Sequence, residues 1–448
     1  MKNGPGNANN SLSLCPSRRG GLAGNLDLGK VVMTPHFFFV LFLGVYLLQT
    51  AASLGTEFLQ GRHWERNAQV PPEFREQVGP GDYRRAMAYA RDRRHLTLIE
   101  TAVSDGVLLI VILCGVLPWL QGTLDAGGPG PVVAGWLFFM FLALLEGVPG
   151  LAFDYYSTFV VEERHGFNRS TRKLWVTDQL KGAFLSVVLL SLLLISVLGT
   201  MEIFPSTWWL WSFVVVSVLQ VVLVLLYPVL IAPWFNTFSP LEDSGLEEEI
   251  RRLMETGGVQ LEGLYQMDAG RRSGHTNAYF TGLGRAKRVV LFDTLLQSHP
   301  REEVLAVLAH ELGHFKKKHV MKHLVAVELL LLGGLYAASL LVDQPGLAAA
   351  FGLRPAPYAG LFLAGVLLQK SAFFLQPLPM ALSRRFEGEA DRFAARLRGP
   401  KAMAGALKRM AADNLSNLSP HPLYVWLHYS HPPLVERVRA LEGGEGSP

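Results

Sequence analysis

Cysteine is almost absent from this chain of 448 residues, which contains only Cys15 and Cys114. A disulfide framework therefore does not stabilise the fold, and cysteine does not supply the ligands of a metal site. Any metal ion that the protein binds must be held by histidine and carboxylate side chains.

Charge is also scarce, since charged residues make up 17% of the chain and hydrophobic residues 50%. This composition is too apolar for an ordinary soluble protein and is normal for a membrane protein that carries an aqueous domain. The formal net charge of +4 is small, and the basic residues do not form the stripe that nucleic-acid binding requires. We therefore expect a lipid bilayer as partner and no nucleic acid.

Seven apolar runs approach the length of about 20 residues that a membrane span needs. They cover roughly residues 35–55, 102–121, 132–153, 182–200, 207–231, 322–342 and 358–382. The sequence thus predicts five parts, which are a disordered tail without a signal peptide (1–30), five spans (31–235), a polar segment (236–320), two spans (321–382) and a polar C-terminal segment (383–448).

The distribution of Lys and Arg predicts how the spans are oriented. The connections after the first, third and fifth spans are rich in Lys and Arg, as is the C-terminal segment. By contrast, residues 122–131 and 201–206 contain neither, and residues 343–357 contain only Arg354. We therefore expect the N-terminus outside and both long polar segments in the cytosol.

Five ionisable residues lie inside the predicted spans, where an unpaired charge is costly. They are Asp105, Glu146, Asp154, Glu328 and Lys370. Asp105 and Asp154 either reach the membrane interface or face the interior of the helix bundle, and both interpretations stay open. Glu146 and Glu328 lie deeper and are expected to line a cavity.

The segment REEVLAVLAHELGHFKKKH, residues 301–319, is predicted to form one helix, since Pro300 precedes it and two glutamates fall in its first turn. His310 and His314 are one turn apart on one face, so both imidazoles can bind one tetrahedral ion. Glu311 lies beside them, in the position of the general base of helical zinc proteases. The alternative is a chance match in a helical core.

A second helical motif, SRRFEGEADRFAARL, covers residues 383–397. Glu387 and Asp391 share one face of this helix, whereas Glu389 points away. A catalytic zinc ion needs three protein ligands, so Glu387 suits the third ligand and Asp391 suits an acceptor that orients His310. The alternative is a solvated pair of acidic residues.

Two further histidines follow the HELGH motif. If the helix continues without a break, His319 and His323 point away from His314. We therefore expect them at a Lys-rich membrane interface and not among the metal ligands.

HELGH followed by SRRFEGEAD resembles the type I CAAX prenyl endopeptidases, which are integral-membrane zinc proteases that process prenylated proteins. Three other segments are similar to motifs of that family. They are EERHGFNRST (162–171), RRSGHTNAYFTGLGRAKRVVLFDTLL (271–296) and HYSHPPLVERVRAL (428–441). The resemblance covers roughly residues 35–441.

The resemblance implies an all-α membrane protein whose seven helices enclose a water-filled chamber, with a cytosolic α+β metalloprotease domain of the gluzincin type and one Zn²⁺ per chain. It implies that Asn277, Ala278 and Tyr279 lie on an edge strand that pairs with the peptide substrate. From the residues alone this segment is only a strand candidate, and Tyr279 fits an ordinary core strand equally well. The resemblance also implies that His431 and Arg437 contact the scissile carbonyl or the substrate backbone.

The leading hypothesis is a zinc metalloendopeptidase that cuts near the C-terminus of prenylated or other membrane-associated peptides. A quality-control protease of membrane proteins is one alternative, and a non-catalytic transporter or scaffold is another. The compact loops, and an end (GGEGSP) that carries no retrieval signal, indicate a bacterial plasma membrane. The endoplasmic reticulum membrane is the alternative for a eukaryotic protein.

Overall fold

The computed structural model describes residues 33–67, 69–281 and 286–443. Within these residues, seven helices are long and apolar enough to cross a membrane, which confirms the predicted number of spans. They are Pro35–Arg66, Pro80–Leu113, Pro131–His165, Arg172–Ile203, Trp208–Phe235, His319–Val342 and Pro357–Leu375. The tail predicted to be disordered, residues 1–30, lies outside the described residues.

Eight helices precede the sheet, and two of the spans consist of two helices joined by a π-helical turn. The eight are α1 (Pro35–Arg66), α2 (Pro80–Leu113), α3 (Val116–Gly127), α4 (Pro131–Tyr156), α5 (Glu163–His165), α6 (Arg172–Ile203), α7 (Trp208–Leu226) and α8 (Ala232–Phe235). Proline begins α1, α2 and α4, because its fixed φ and missing N–H suit the first helical position. The Thr34 hydroxyl caps α1, and the Thr171 hydroxyl caps α6.

The first two spans extend well beyond the hydrocarbon core. Helix α1 has 32 residues and α2 has 34, so each is about 50 Å long, whereas the core of a bilayer is about 30 Å thick. The Arg-rich stretch from Arg84 to Arg94 therefore belongs to α2 and not to a loop. The apolar runs of the sequence show only the part of such a helix that lies in lipid, so they miss its polar extension.

The structure places some of the ionisable span residues in interhelical contacts. The Lys370 ammonium lies 2.7 Å from the Asp105 carboxylate and donates to the Gln49 amide oxygen at 2.9 Å. The Ser217 hydroxyl donates to the Glu328 carboxylate at 2.6 Å. Asp105 thus faces the interior of the bundle, and its ion pair joins α2 to the seventh span.

A four-stranded sheet follows the fifth span. Its strands are β1 (Phe238–Pro240), β2 (Gln260–Met267), β3 (Ala278–Thr281) and β4 (Ala286–Phe292), in the spatial order β1-β2-β4-β3. Strands β2 and β4 are parallel, whereas β1 and β3 pair antiparallel with their neighbours. Strand β3 therefore lies at one edge of the sheet, with Ala278 opposite Leu291.

Ten helices complete the described part of the chain. They are α9 (Ser244–Thr256), α10 (Asp293–Ser298), α11 (Arg301–Lys316), α12 (His319–Val342), α13 (Pro345–Ala349), α14 (Pro357–Ala372), α15 (Pro377–Arg398), α16 (Pro400–Asp413), α17 (Pro422–His428) and α18 (Leu434–Glu442). Helix α11 is the centre of the domain, because all its residues from Val304 to His310 are buried. It packs against α9, β3, α15 and α16.

Helices α11 and α15 are in close contact at Gly313. A Cβ atom added there would lie 3.1 Å from the Ala390 Cα atom and 3.1 Å from the Phe393 Cβ atom. These distances are shorter than ordinary van der Waals contacts, so the glycine of HELGH permits the close approach of the two helices. The packing brings the second motif of the sequence alongside the first.

The predicted single helix over residues 301–319 is wrong at its end. Helix α11 ends at Lys316, Lys318 has a left-handed backbone with φ of 56°, and α12 begins at His319. The break turns the chain, so the His319 side chain is buried and contacts His314. The expectation that His319 points away from His314 is therefore wrong, because it extrapolated an unbroken helix. The expected location at a Lys-rich membrane interface stays a prediction.

Candidate active site

Three potential metal ligands converge where α11 packs on α15. The Nε2 atoms of His310 and His314 are 3.1 Å apart, since residues four apart lie on one helix face. The Glu387 carboxylate lies 3.4 Å from His310 Nε2 and 3.2 Å from His314 Nε2. One ligand atom from each of the three residues lies within 4.8 Å of the others.

This donor set fits a divalent metal ion. Two imidazoles and one carboxylate leave a fourth position open in a tetrahedral site, as catalytic zinc requires. His310 and Glu387 are buried, and Glu387 Oε2 makes no hydrogen bond within the described part of the chain. A buried carboxylate oxygen without a hydrogen bond is costly, and a cation between the three groups would remove that cost.

Asp391 lies beside Nδ1 of His310, which is the ring nitrogen that does not face Glu387. Its Oδ1 atom is 2.8 Å from His310 Nδ1, which leaves Nε2 directed towards Glu387. The Arg437 guanidinium donates two hydrogen bonds to the same carboxylate, at 2.8 and 2.6 Å. Burial alone would raise the pKa of Asp391, but the bonds from Arg437 and His310 lower it to about 2. Asp391 is therefore ionised and holds both cationic partners.

The charges of His310 and Glu387 depend strongly on their neighbours. Burial alone would lower the pKa of His310, but the neighbouring carboxylates of Asp391 and Glu387 raise it to about 9. Burial alone would raise the pKa of Glu387, but the neighbouring imidazoles of His310 and His314 hold it well below its usual range. When no metal ion is bound, the His310 imidazole is therefore protonated at neutral pH, and its positive charge balances the two carboxylates.

Glu311 follows the first histidine on α11 and is partly buried. Burial raises the pKa of Glu311, although the neighbouring imidazoles of His310 and His314 act in the opposite direction. A carboxylate whose pKa is raised towards neutrality is a better base than an ordinary glutamate. This environment suits a residue that must accept a proton and release it again.

The C-terminal signature brings His431 and Arg437 to the same place. His431 is 59% exposed, and its Nε2 atom lies 3.3 Å from Glu387 Oε1. Arg437 is buried and lies 3.5 Å from Glu387 Oε2 in addition to its bonds with Asp391. A cavity of about 410 Å³ opens beside them, and its lining includes Tyr429 and both of these residues.

The segment that the sequence marks as a strand candidate contains Asn277, which directly precedes β3, and Ala278 and Tyr279, which belong to it. The backbone groups of these residues point in different directions. Asn277 O accepts from Phe292 N at 3.1 Å, so the alternation of an antiparallel pair directs the backbone of Tyr279 towards β4. The backbone groups of Ala278 and Phe280 face the other way, towards the free edge. The Asn277 side chain accepts from Ala278 N at 2.8 Å, so the Ala278 carbonyl and the backbone N–H and carbonyl of Phe280 are the groups directed there.

The Tyr279 side chain packs on the sheet and does not face the metal ligands. Its ring lies edge-on to Phe292, with the centroids 6.4 Å apart, and its hydroxyl is 4.0 Å from the Met267 sulfur. Burial raises the pKa of Tyr279 to about 12. The side chain is thus a structural apolar contact, and only its strand neighbours present backbone to the edge.

Sequence reasoning missed His319 and Glu389 as neighbours of the site. His319 Nδ1 lies 3.1 Å from His314 Nδ1, and His319 Nε2 lies 3.4 Å from Glu389 Oε2. The sequence contains one signal for this contact, which is a further histidine five residues after His314. That signal was not sufficient, because no glycine or asparagine at Lys318 indicates that the helix ends there.

Two family models match successive parts of the chain. One is described as the CAAX prenyl protease N-terminal domain with five membrane helices, and it matches residues 60–237. The other is described as peptidase family M48, and it matches residues 240–445, which include all of α11 and α15.

Individual relatives and one solved structure are similar over most of the chain. The CAAX prenyl protease 1 homolog of Arabidopsis thaliana is 34% identical over 375 residues, covering 81% of this chain and 87% of the relative. CAAX prenyl protease 1 of Saccharomyces cerevisiae is 30% identical, covering 86% and 91%. The crystal structure of S. mikatae Ste24p matches with a TM-score of 0.85 and 28% identity, covering 90% of this chain and 99% of that one.

Proposed function

The chain belongs to peptidase family M48, among the CAAX prenyl protease 1 enzymes, and on this premise we propose that it uses one zinc ion, bound by His310, His314 and Glu387, to cut membrane-associated peptides. It is a multi-pass integral-membrane metalloendopeptidase. The observation that carries the zinc assignment is the convergence of two imidazoles and one carboxylate within 4.8 Å.

The proposed mechanism assigns the proton transfers to Glu311. When bound, the zinc ion supplies a Lewis acid that polarises the scissile carbonyl and acidifies water. Glu311 takes the proton of the attacking water and then delivers it to the leaving amine. Its pKa, which burial raises, suits both halves of that transfer.

Asp391 and Arg437 keep the ligands in place. Asp391 Oδ1 lies 2.8 Å from His310 Nδ1 and is placed to take its proton in a hydrogen bond, so the other ring nitrogen keeps its lone pair for the metal ion. Arg437 neutralises the Asp391 carboxylate through two short bonds, so Arg437 acts mainly through Asp391 in this structure. We propose that its remaining N–H groups contact the substrate backbone from the edge of the adjoining cavity.

We assign the stabilisation of the oxyanion to His431. Its side chain is exposed and lies within 3.3 Å of the Glu387 carboxylate, so a carbonyl oxygen near the ligands is within its reach. A donor aimed at the developing negative charge typically contributes about 10²–10³-fold to the rate.

We propose that the substrate binds in extended form along the free edge of β3. The Ala278 carbonyl and the Phe280 N–H are placed to add a strand to the sheet, beside the helix that carries both histidines. The seven-span region then encloses a water-filled chamber above the site, in line with the ionisable residues inside the bundle.

The relatives are named for CAAX prenyl processing, and we propose a prenylated or other lipid-anchored peptide as the substrate class. Lys and Arg are concentrated in the connections on one side of the membrane, and we propose that this side is the cytosol and carries the site. The compact loops support a bacterial plasma membrane as the proposed location.

The proposed function is tested with the full-length protein in detergent, by counting zinc per chain and measuring cleavage of a peptide ending in a CAAX sequence. Glu311→Gln should keep its zinc and lose about 10²–10⁴-fold in turnover, because only the base is removed. Glu387→Ala should lose both zinc and turnover. The matched control is Glu302→Gln, an exposed glutamate in the first turn of the same helix, which should change neither.

A prenylated and a bare peptide of the same sequence separate the substrate classes. Faster cleavage of the prenylated peptide supports CAAX processing, whereas equal cleavage of both, together with degradation of unfolded membrane proteins, supports quality control. Zinc retained in full by Glu387→Ala would contradict the proposed ligand set.

A further inference from the structure

His319 occupies a buried position directly behind the second histidine of the motif. Its side chain is 1% exposed, and its ring is stacked on Phe386, with the centroids 4.2 Å apart and the planes at 7°. Its Nδ1 atom lies 3.1 Å from His314 Nδ1, and its Nε2 atom lies 3.4 Å from Glu389 Oε2. Three residues from α11, α12 and α15 thus form a row that starts at a metal ligand.

The positions of the ring nitrogens determine where the protons of this row lie. His314 directs Nε2 towards His310 and Glu387, so that atom must carry a lone pair when it binds a cation. The proton of neutral His314 is then on Nδ1, and the atom facing it, His319 Nδ1, must accept. The proton of neutral His319 is therefore on Nε2, which faces the Glu389 carboxylate.

We propose that His319 is a positioning residue for His314, and that Glu389 selects the tautomer of His319 that can accept. This inference rests on the proposed function, in which His310 and His314 bind the metal ion. It gives the two ligands matching support, because Asp391 lies 2.8 Å from His310 Nδ1 and His319 lies 3.1 Å from His314 Nδ1. Such partners fix the orientation of a ligating ring and typically change metal affinity by about 10–100-fold.

The break between α11 and α12 makes this arrangement possible. In an unbroken helix a residue five positions after His314 lies about 140° further around the axis and cannot face it. The left-handed backbone of Lys318 redirects the chain, so the first residue of α12 returns to the ligand side of α11. Glu389 comes within reach because α15 packs beside α11 at Gly313.

Two substitutions of His319 separate hydrogen bonding from packing. His319→Phe keeps a ring to stack on Phe386 and removes the acceptor. His319→Asn loses the ring but keeps an oxygen in the place of Nδ1. We expect His319→Phe to lower the affinity for Zn²⁺ by about 10–100-fold and His319→Asn to stay within about threefold of the unmodified protein.

The measurement is competition with a zinc chelator on the purified full-length protein, with the absorption bands of bound Co²⁺ as a second readout of ligand geometry. If His319 served packing alone, the order would be reversed, with the Phe variant near normal and the Asn variant impaired. That result, or equal affinity in all three proteins, would overturn the inference. Absence of stoichiometric binding in the unmodified protein would instead overturn the proposed function.

The role of Glu389 is tested by combining substitutions, which does not depend on the folding of the Phe variant. Glu389→Ala should weaken Zn²⁺ binding in the unmodified background, because His319 can then adopt the tautomer that does not accept. It should have no effect in the His319→Asn background, because the Asn oxygen accepts without selection by Glu389. The same loss in both backgrounds would refute the row of hydrogen bonds.

Discussion

Removing the Asp391 carboxylate should impair the site in two ways that can be measured separately. Asp391 is 4% exposed and bonds to both His310 and Arg437. In Asp391→Ala, His310 loses the acceptor that orients its ring, and the buried Arg437 loses its main counter-charge. The Glu387 carboxylate remains 3.5 Å from Arg437, so the guanidinium and the metal ion would compete for it.

The structure allows the size of each effect to be estimated. Breaking a buried ion pair by removing one partner costs about 3–5 kcal/mol of folding free energy, because a charge stays buried without compensation. We expect the lower end, about 3 kcal/mol, since Glu387 partly replaces the lost partner. Loss of the acceptor for a ligating histidine lowers metal affinity by about 10–100-fold. We expect the upper end, because Arg437 also draws Glu387 away.

A second substitution separates the two effects. Asp391→Ala with Arg437→Leu removes the uncompensated charge, so the free energy of unfolding should largely recover. The affinity for Zn²⁺ should recover only in part, to about tenfold below the unmodified protein, because His310 still lacks its acceptor. Asp391→Asn is the control, since its side-chain oxygen can still accept from His310.

The assays are denaturant unfolding in detergent for stability and chelator competition for zinc affinity. Full recovery of zinc affinity in the double variant would refute the orienting role and leave Asp391 only as the counter-charge of Arg437. Unchanged affinity in Asp391→Ala would refute both arguments.

Three further predictions concern protons, packing and topology. Because the pKa of metal-free His310 is raised to about 9, its proton stabilises the apo fold fully below the ordinary histidine pKa, and that contribution is lost as the pH rises through 9. Zinc affinity should therefore rise from pH 7 to pH 9 with release of about one proton per ion, as measured by calorimetry in two buffers. Gly313→Ala gains about 1 kcal/mol of helix propensity, but the added methyl group overpacks against Ala390 at a cost of about 1–3 kcal/mol. Unfolding assays should therefore show equal or lower stability, and chelator competition should show weaker zinc binding. The topology is tested in sealed cells with a variant in which Cys15 and Cys114 are replaced. An impermeant maleimide should label a cysteine introduced at the exposed Ala349 and should not label one introduced at the exposed Glu436. The reverse pattern would invert the proposed orientation.

The parts of the site that follow from local spacing could be predicted from the sequence. His310 and His314 are four residues apart on one helix, and so are Glu387 and Asp391 on another, so helix geometry places each pair on one face. That the two faces meet depends on Gly313, whose importance is visible only once α15 lies against it. The number of spans was equally accessible, because hydropathy reports directly on contact with lipid.

Other features depend on contacts that no local pattern encodes. The bond between Arg437 and Asp391 joins residues 46 positions apart, and the sequence suggested only a substrate contact for Arg437. The turn at Lys318 carries no glycine or asparagine, so nothing in the sequence indicated the left-handed residue that buries His319. The order of strands, with β3 at the edge, likewise depends on the parallel pairing of β2 with β4 across a long connection.

The last two spans lie between α11 and α15 in the chain, so they separate two of the proposed ligands from the third. A ribosome delivers the HELGH helix first, then the two membrane segments, and only afterwards Glu387. With the proposed ligands His310, His314 and Glu387, a nascent chain that ends before α15 has two of the three donors. We therefore expect hydrolytic activity only after both membrane segments have been made, so that an unfinished chain does not cleave peptides during biosynthesis.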